Sequence, residues 1–307
     1  MKKVAISVGD INGVGIHIAL KEHSEIKKIC HPIYCAHQEV FEKACDILKL
    51  KMPRDMDFFP LDQNIPDIFP SSITSQSGRY SYESFIKACE LADEKKVHSI
   101  CTLPINKKSW SLANISEIGH TEVLAKRYHR DTIMMLGCEK MFVALFTDHI
   151  PLKSVSSHIT AEKLSAFLLN LYKNLKLKNV LVLGVNPHCG DGGIIGDEDK
   201  QINLAIKNVN EAIKKEIFIG PIPPDTAFSP INREKYRFFV SMYHDVGLAP
   251  LKALYFYDSI NITLNIPIFR VSVDHGVAYD IAYKSQPNTQ SYLNAINLAT
   301  KNGIFYE

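Results

Sequence analysis

Short apolar runs that stop abruptly at polar, glycine- or histidine-bearing turns recur along this chain. They restrict its folds more than any other feature. MFVALF (141–146), VLVLGV (180–185) and FFVSMY (238–243) are of strand length and carry no charge. Unbroken apolar character of that length fits a strand covered on both faces, as in a parallel sheet. Stretches at 3–8, 99–103, 132–136, 253–257 and 262–273 complete the strand candidates. Segments of helical periodicity lie between them, at 37–49, 79–96, 119–129, 160–176, 197–216 and 288–301. In 160–176, Leu164, Phe167, Leu168, Leu171 and Leu175 fall on one face, with Thr160 placed as N-cap. Tyr292, Ala295, Ile296 and Ala299 repeat that pattern further on. Such alternation predicts an α/β fold with a largely parallel sheet, and 253–273 adds antiparallel strands. The proline-rich stretch 52–72 lacks periodicity and reads as a surface excursion.

With 307 residues, the chain is long enough for one large domain or two connected ones. Its 46% hydrophobic and 22% charged residues are ordinary for a globular protein, and a net charge of +2 gives no argument for nucleic acid or membrane binding. No segment approaches the roughly 18 apolar residues of a membrane span. The basic start MKK is followed by an apolar stretch, Val4 to Val8, too short for a signal peptide and read as a first strand. Seven scattered cysteines without a CxxC pair fit a reducing, cytoplasmic setting. Cys189, although it neighbours His188, reads as packing.

Each of the three apolar runs first quoted leads into a histidine. These are His149 in TDHIPL, His188 in NPHCGDGG and His244 in YHDVGLAPLK. Sheet proteins of this class place ligands at strand ends, and three imidazoles with open positions have the composition of a catalytic metal site. Taken singly, each is an ordinary loop histidine among the twelve in the chain. Other segments carry further candidates. SVGDINGVGIHIALK (7–21) is a strand, a turn and a helix start, so Gly9, Asp10 and Gly13 form a possible cofactor or phosphate loop or simply a tight connection. Its glycine spacing is not the dinucleotide G-x-G-x-x-G. His120 and Thr121 open a helix whose free N–H groups suit an anion; alternatively Thr121 only caps it and His120 faces solvent. Gly190 and Gly193 lie in a glycine-dense loop that either wraps a ligand or merely connects. Asp225, after two proline turns, and Asp245, beside His244, are carboxylates of the kind that orient ligating imidazoles. VDHGVAYDIAYK (273–284) reads as a helix start.

In order along the chain stand GDINGVG (9–15), TLPINK (102–107), GHTE (119–122), T-x-HIPL (147–152), NPH-x-G (186–190), G-P-x-P-x-D-T (220–226), YHD-x-GL-x-PLK (243–252) and DHG-x-A-x-DIA (274–282). Together these motifs resemble the 4-hydroxythreonine-4-phosphate dehydrogenase family of vitamin B6 biosynthesis across nearly the whole chain. The resemblance implies two α/β/α domains with a cleft between them, similar to isocitrate and isopropylmalate dehydrogenases. The first domain is then expected at 1–125 plus 276–307, and the second, with dimerisation elements, at 126–275. It also implies a homodimer whose active sites draw on both subunits. His149, His188 and His244 match the family's ligands for one divalent metal (Zn, Mg, Co or Mn). His120, Thr121, Lys252, Asn261 and Arg270 match its substrate contacts. The hydride acceptor is NAD or NADP, bound without a Gly fingerprint. Departures from the family pattern are Ile11 for Pro, Ile16-His17 for Pro-Glu, Asp191 for Glu, Val246 for Gln, Asn265 for Gly and Val277 for Thr. The polar groups lost at Val246 and Val277 bear on cofactor preference and local hydrogen bonding.

The implied reaction oxidises 4-phosphooxy-L-threonine to 2-amino-3-oxo-4-phosphooxybutanoate, which loses carbon dioxide to give 3-amino-2-oxopropyl phosphate. A divalent cation would polarise the substrate hydroxyl and the later enolate. Lys252 and Arg270 suit a carboxylate or phosphate, and Lys252 or Asp245 is a candidate for proton transfer. Two alternatives stand beside this reading. One is a sister dehydrogenase acting on threonate or erythronate 4-phosphate. The other is a metal-dependent phosphate-ester hydrolase, which the lack of a dense carboxylate ligand set disfavours.

Overall fold

The computed structural model describes residues 1–301. In chain order its elements begin with β1 (Lys3–Ser7), α1 (Gly15–Ile26), β2 (His31–Cys35), α2 (Gln38–Leu48), β3 (Asp57–Phe58), α3 (Ser75–Asp93), β4 (Ser99–Thr102), α4 (Lys107–Leu112) and α5 (His120–Tyr128). There follow β5 (Ile133–Cys138), β6 (Met141–Leu145), α6 (Val155–His158), α7 (Ala161–Leu175), β7 (Val180–Leu183), α8 (Glu198–Ile213), β8 (Phe218–Ile222), α9 (Pro224–Ala227), α10 (Pro230–Lys235), β9 (Phe238–Ser241) and α11 (His244–Tyr255). The chain then runs through β10 (Ile260–Leu264), β11 (Arg270–Val273) and α12 (Gln290–Ala299). Helices and strands interleave throughout, the mixed α/β class that the alternation predicts.

The chain divides into two units, one of Met1–Thr132 resumed at Ile260, the other of Ile133–Ser259. The first crossing, at 132–133, lies close to the one expected near 125, whereas the second, at 259–260, falls well before the one expected near 275. The second differs because β11 pairs in parallel with β4, which commits the 260–273 hairpin to the first unit. Residues 302–307 of the expected segment 276–307 lie outside the described residues.

In the first unit the strand order is β3-β2-β1-β4-β11-β10. All pairs are parallel except β11 with β10. Apart from Lys3, every residue of β1 and β4 is buried, so both faces of these strands are covered. Helix α3 packs on β1 and β4, and α12 on β4, β10 and β11. Trp110, Tyr34, Tyr80, Tyr292, Phe41 and Phe85 are the largest side chains enclosed there. The expected strand at 262–273 is a hairpin instead. Its turn holds Asn265 at φ 65, with the side-chain Nδ2 donating to Asp131 O at 2.7 Å. Asparagine tolerates this left-handed conformation better than most residues, which explains its standing in for a glycine.

The second unit has the order β5-β6-β9-β7-β8, parallel except for the β5–β6 hairpin. Its core joins Val143, Leu181 and Phe239 from the sheet to Leu248 and Leu251 of α11. The expected N-cap is present on α7: Thr160 Oγ1 accepts from Lys163 N at 3.3 Å.

Two local expectations fail. The run 253–257 is not a strand but the end of α11 and the turn after it. Leu248 and Leu251, three apart, carry the burial, while Leu254, Phe256 and Tyr257 are exposed, so the period is helical. Segment 273–284 starts no helix and forms successive turns. Ala278 and Tyr283 sit at φ 46 and 58, and Tyr283 OH donates to Ile11 O at 2.7 Å. Those tertiary ties override the local pattern. The excursion 52–72 is pinned inward at Leu61 and Ile68.

Candidate functional site

The register of three neighbouring strands builds one buried polar face in the first unit. Thr263 stands opposite Arg270, and Asn261 opposite Ser272. Arg270 pairs with Ile100 and Ser272 with Thr102 on the other side. Because side chains alternate along a strand, Asn261, Thr263, Arg270, Ser272 and Thr102 share a face. Arg270 is only 2% exposed, yet among the described residues no carboxylate faces it. Its Nη1 donates to Thr263 Oγ1 at 2.7 Å and its Nη2 to Thr102 Oγ1 at 2.8 Å. Burial pulls the guanidinium down to about 10, low for an arginine.

His120, the first residue of α5, stands beside that guanidinium. Arg270 Nη2 approaches its Nδ1 at 3.3 Å. Arginine has no lone pair to offer, so Nδ1 accepts and the imidazole proton lies on Nε2. That Nε2 is enclosed and has no partner, and the same is true of Arg270 Nε and Asn261 Oδ1. The ring meets Phe85 and Trp110 edge-on, at 4.5 and 5.6 Å between centroids. Burial first, and the Arg270 charge second, hold His120 well below the usual imidazole range, so it is a neutral donor. His120 is half-buried, and its Nε2 is turned inward rather than toward solvent. Thr121 does not cap α5 either, because Gly119 occupies that position. The arrangement presents a cation and unmet N–H donors with no anion beside them among the described residues, which is what an anionic ligand group requires.

The 9–15 loop is closed by its own chain. A Cβ at Gly9, which has φ +68, would lie 2.2 Å from Pro104 O, and one at Gly13 would lie 2.8 Å from Val277 O. Asp10 is fully buried. It accepts from Asn12 N, Ser77 Oγ and Tyr279 OH at 2.9, 3.1 and 3.1 Å. Burial raises this carboxyl above the ordinary range, against the lowering effect of those bonds. These glycines answer to packing, and the loop has no open cradle at Gly9 or Gly13 for a phosphate.

In the second unit, adjacent strands bring two of the three histidines together. β6 and β9 are parallel neighbours, and Thr147 Oγ1 donates to Met242 O at 2.6 Å, tying the loops that follow them. The rings of His149 and His244 consequently stand 5.7 Å apart at 39°. Both line a cavity of about 280 Å³ with Asp148, Tyr243 and Asp245. His244 Nδ1 lies 2.7 Å from Asp245 Oδ1, a contact that orients the imidazole and leaves Nε2 free. Two imidazoles converging on one cavity fit a divalent cation.

His188 follows β7, on an exposed turn, and does not line that cavity. Among the described residues, no group of three His, Cys, Asp or Glu side chains within one chain is placed to hold a metal ion. Asp199 anchors the turn by accepting from Val185 N and Asn186 N at 3.0 and 3.1 Å. A Cβ at Gly190 would meet Gly196 O at 2.3 Å, and one at Gly193 the Lys200 Nζ at 2.4 Å. Asp225 is exposed in the first turn of α9. Burial chiefly, with the charges of Asp199 and Asp225, pushes the Cys189 thiol up to about 11. Lys252, on α11, lies 5.4 Å from the Phe256 ring centroid.

Sequence reading placed Thr102 at the end of a strand and in the TLPINK motif without a role, and passed over Thr263. The only local signal for Thr263 is its spacing of two from Asn261, which matters once both are known to lie on one strand.

The comparisons with known proteins agree along the chain. Residues 28–299 match the family model described as pyridoxal phosphate biosynthetic protein PdxA. A 4-hydroxythreonine-4-phosphate dehydrogenase from Campylobacter fetus is 50% identical over 302 residues, covering 98% of each chain. That of Sulfurimonas denitrificans is 49% identical over 297 residues, covering 97% of this chain and 96% of its own. The crystal structure of a 4-hydroxythreonine-4-phosphate dehydrogenase from Burkholderia phymatum superposes with a TM-score of 0.80 at 28% identity, covering 98% of both chains. The chain belongs to the PdxA family of pyridoxal phosphate biosynthetic proteins.

Proposed function

We propose that this protein is a 4-hydroxythreonine-4-phosphate dehydrogenase. It oxidises 4-phosphooxy-L-threonine to 2-amino-3-oxo-4-phosphooxybutanoate, which decarboxylates to 3-amino-2-oxopropyl phosphate. The observation that carries this reading is Arg270, a buried cation held by hydroxyls and facing no carboxylate among the described residues, beside the unmet His120 Nε2 and Asn261 Oδ1. That face suits a substrate with both an anionic group and a polar hydrogen-bonding group, and the names of the relatives describe such a substrate.

Arg270 and neutral His120 bind and orient an anionic group of the substrate, and Asn261 and Thr121 complete its polar surround. Lys252 adds a second cation. A divalent cation held by His149, His188 and His244 would supply Lewis-acid polarisation of the substrate hydroxyl, and NAD or NADP would accept the hydride. Asp245 fixes the His244 tautomer that leaves Nε2 free to ligate. Lys252 or Asp245 takes the hydroxyl proton. The placement of His188 outside the His149–His244 cavity supports a site completed by a second copy of the chain, hence a homodimer.

The test gives purified protein, with a divalent cation and NAD or NADP, three substrates: 4-phosphooxy-L-threonine, threonate 4-phosphate and erythronate 4-phosphate. Growth of reduced-nicotinamide absorbance with the first is expected. Reduction with only the other two would overturn the substrate assignment. His188→Ala should abolish turnover and lower bound metal, and unchanged metal content would remove His188 from the ligand set.

A further inference from the structure

Arg270 is fixed by Thr263, across the hairpin that carries both, and by Thr102, 168 residues away in sequence. A guanidinium carries more N–H donors than the three acceptors it meets here, namely Thr263 Oγ1, Thr102 Oγ1 and His120 Nδ1. Both threonines are enclosed, at 0% exposure for Thr102 and 2% for Thr263. They stand on the strands flanking the one that carries Arg270, so the side chain is gripped from both sides. Hydroxyls accept a hydrogen bond without cancelling charge. A carboxylate at either position would hold the guanidinium equally well but neutralise it. Ser272 does not share in the grip, because its Oγ donates to Thr102 O at 3.0 Å.

We propose that Thr102 and Thr263 are positioning residues that clamp the Arg270 guanidinium from two strands while leaving its charge for an anionic group of the substrate. Through Arg270 the clamp also sets His120: the guanidinium occupies Nδ1, which keeps the imidazole as an Nε2–H donor. The inference rests on the reading that Arg270 binds substrate.

Thr263→Val removes the acceptor with little change of shape, and Thr263→Ser restores it. Loss of a hydrogen bond to a charged group predicts a KM for 4-phosphooxy-L-threonine raised about tenfold in the Val variant. Its kcat should change by less than about twofold, since uniform binding is what is lost. The Ser variant should behave as wild type. In an Arg270→Lys background, Thr263→Val should add less than about twofold, because both act through one contact. Thr102→Val and Thr102→Ser repeat the series on the other strand.

Binding without turnover is read from the fluorescence of the chain's single tryptophan, Trp110, whose ring stands 5.6 Å from that of His120. Inorganic phosphate and acetate serve as probes. The anion whose Kd rises about tenfold in the Val variant, and recovers in the Ser variant, is the group that Arg270 takes. If wild type fails to oxidise the substrate while this anion series holds, the proposed activity falls and the clamp stands. Equal affinity of wild type, Val and Ser variants for both anions overturns the clamp, whatever the activity. A full additional loss from Thr263→Val in the Arg270→Lys background also overturns it.

Discussion

Arg270 sits where folding alone would place an apolar residue. A buried charge without an opposite charge costs several kcal/mol in general, and hydroxyl contacts recover only part of that. A position that is expensive for the fold and rich in unmet donors is one maintained for binding. Arg270→Met should therefore abolish substrate binding while leaving Tm unchanged or higher, by thermal denaturation; a Tm several degrees lower would make Arg270 a stabilising residue instead. Ligand linkage gives the complementary measurement. A saturating anion at about 100 times its Kd should stabilise wild type by about 2.7 kcal/mol and the Met variant not at all. His120 follows the same logic, since an isolated helix-start histidine reads as exposed, and only its enclosure by Phe85, Trp110 and Arg270 makes it a neutral donor.

The turn that carries His188 holds five consecutive residues, from His188 to Gly192, in the left-handed region, at φ 52, 54, 77, 45 and 68. A side chain there costs roughly 1–2 kcal/mol per residue, so the turn persists only because it is tied from outside. Ile195 N donates to Gly190 O at 3.0 Å, and Asp199 takes the two N–H groups that precede the turn. Gly190→Ala would drive a Cβ into Gly196 O. Its expected cost is about 2 kcal/mol or more in urea unfolding, with a parallel fall in bound metal; a neutral outcome would show that the turn can relax. At Thr160, removal of the cap by Thr160→Ala should cost about 1 kcal/mol on the same assay. Long periodic elements such as α7 were legible because one apolar face repeats several times. The short strands β2 and β8 were not. HPIYC and FIGPI carry proline, and β8 is an edge strand, where proline is tolerated and half the residues need no burial. The 253–257 run misled for the converse reason, as its aromatic residues are exposed at a helix end.

Across the whole molecule, burial holds His17, His23 and His120 below the ordinary imidazole range. Their folded forms bind protons less readily than the unfolded chain. Stability is therefore fully present above about pH 6.5, the unfolded value, and falls as pH drops below it. Chemical denaturation between pH 7.5 and about 5 should show this loss, and a flat profile over that window would contradict the neutral burial of these rings. Asp10, with its raised carboxyl, acts in the opposite sense, but near its own more acidic range. Among the described residues, no helix is long and apolar enough to cross a membrane. The sequence by itself determined the α/β class, most of the long elements, and the family, because periodicity and motif order are properties of the chain read end to end. It also nominated His149, His188, His244, His120, Asn261 and Arg270. Only the tertiary structure decided that 260–273 belongs with the first unit, that the His120 Nε2 is enclosed, and that Thr102 and Thr263 grip Arg270. Thr102 and Arg270 stand 168 residues apart, and strand register across β4, β11 and β10 brings them onto one face. Register is set by pairing between distant segments, which no local pattern encodes.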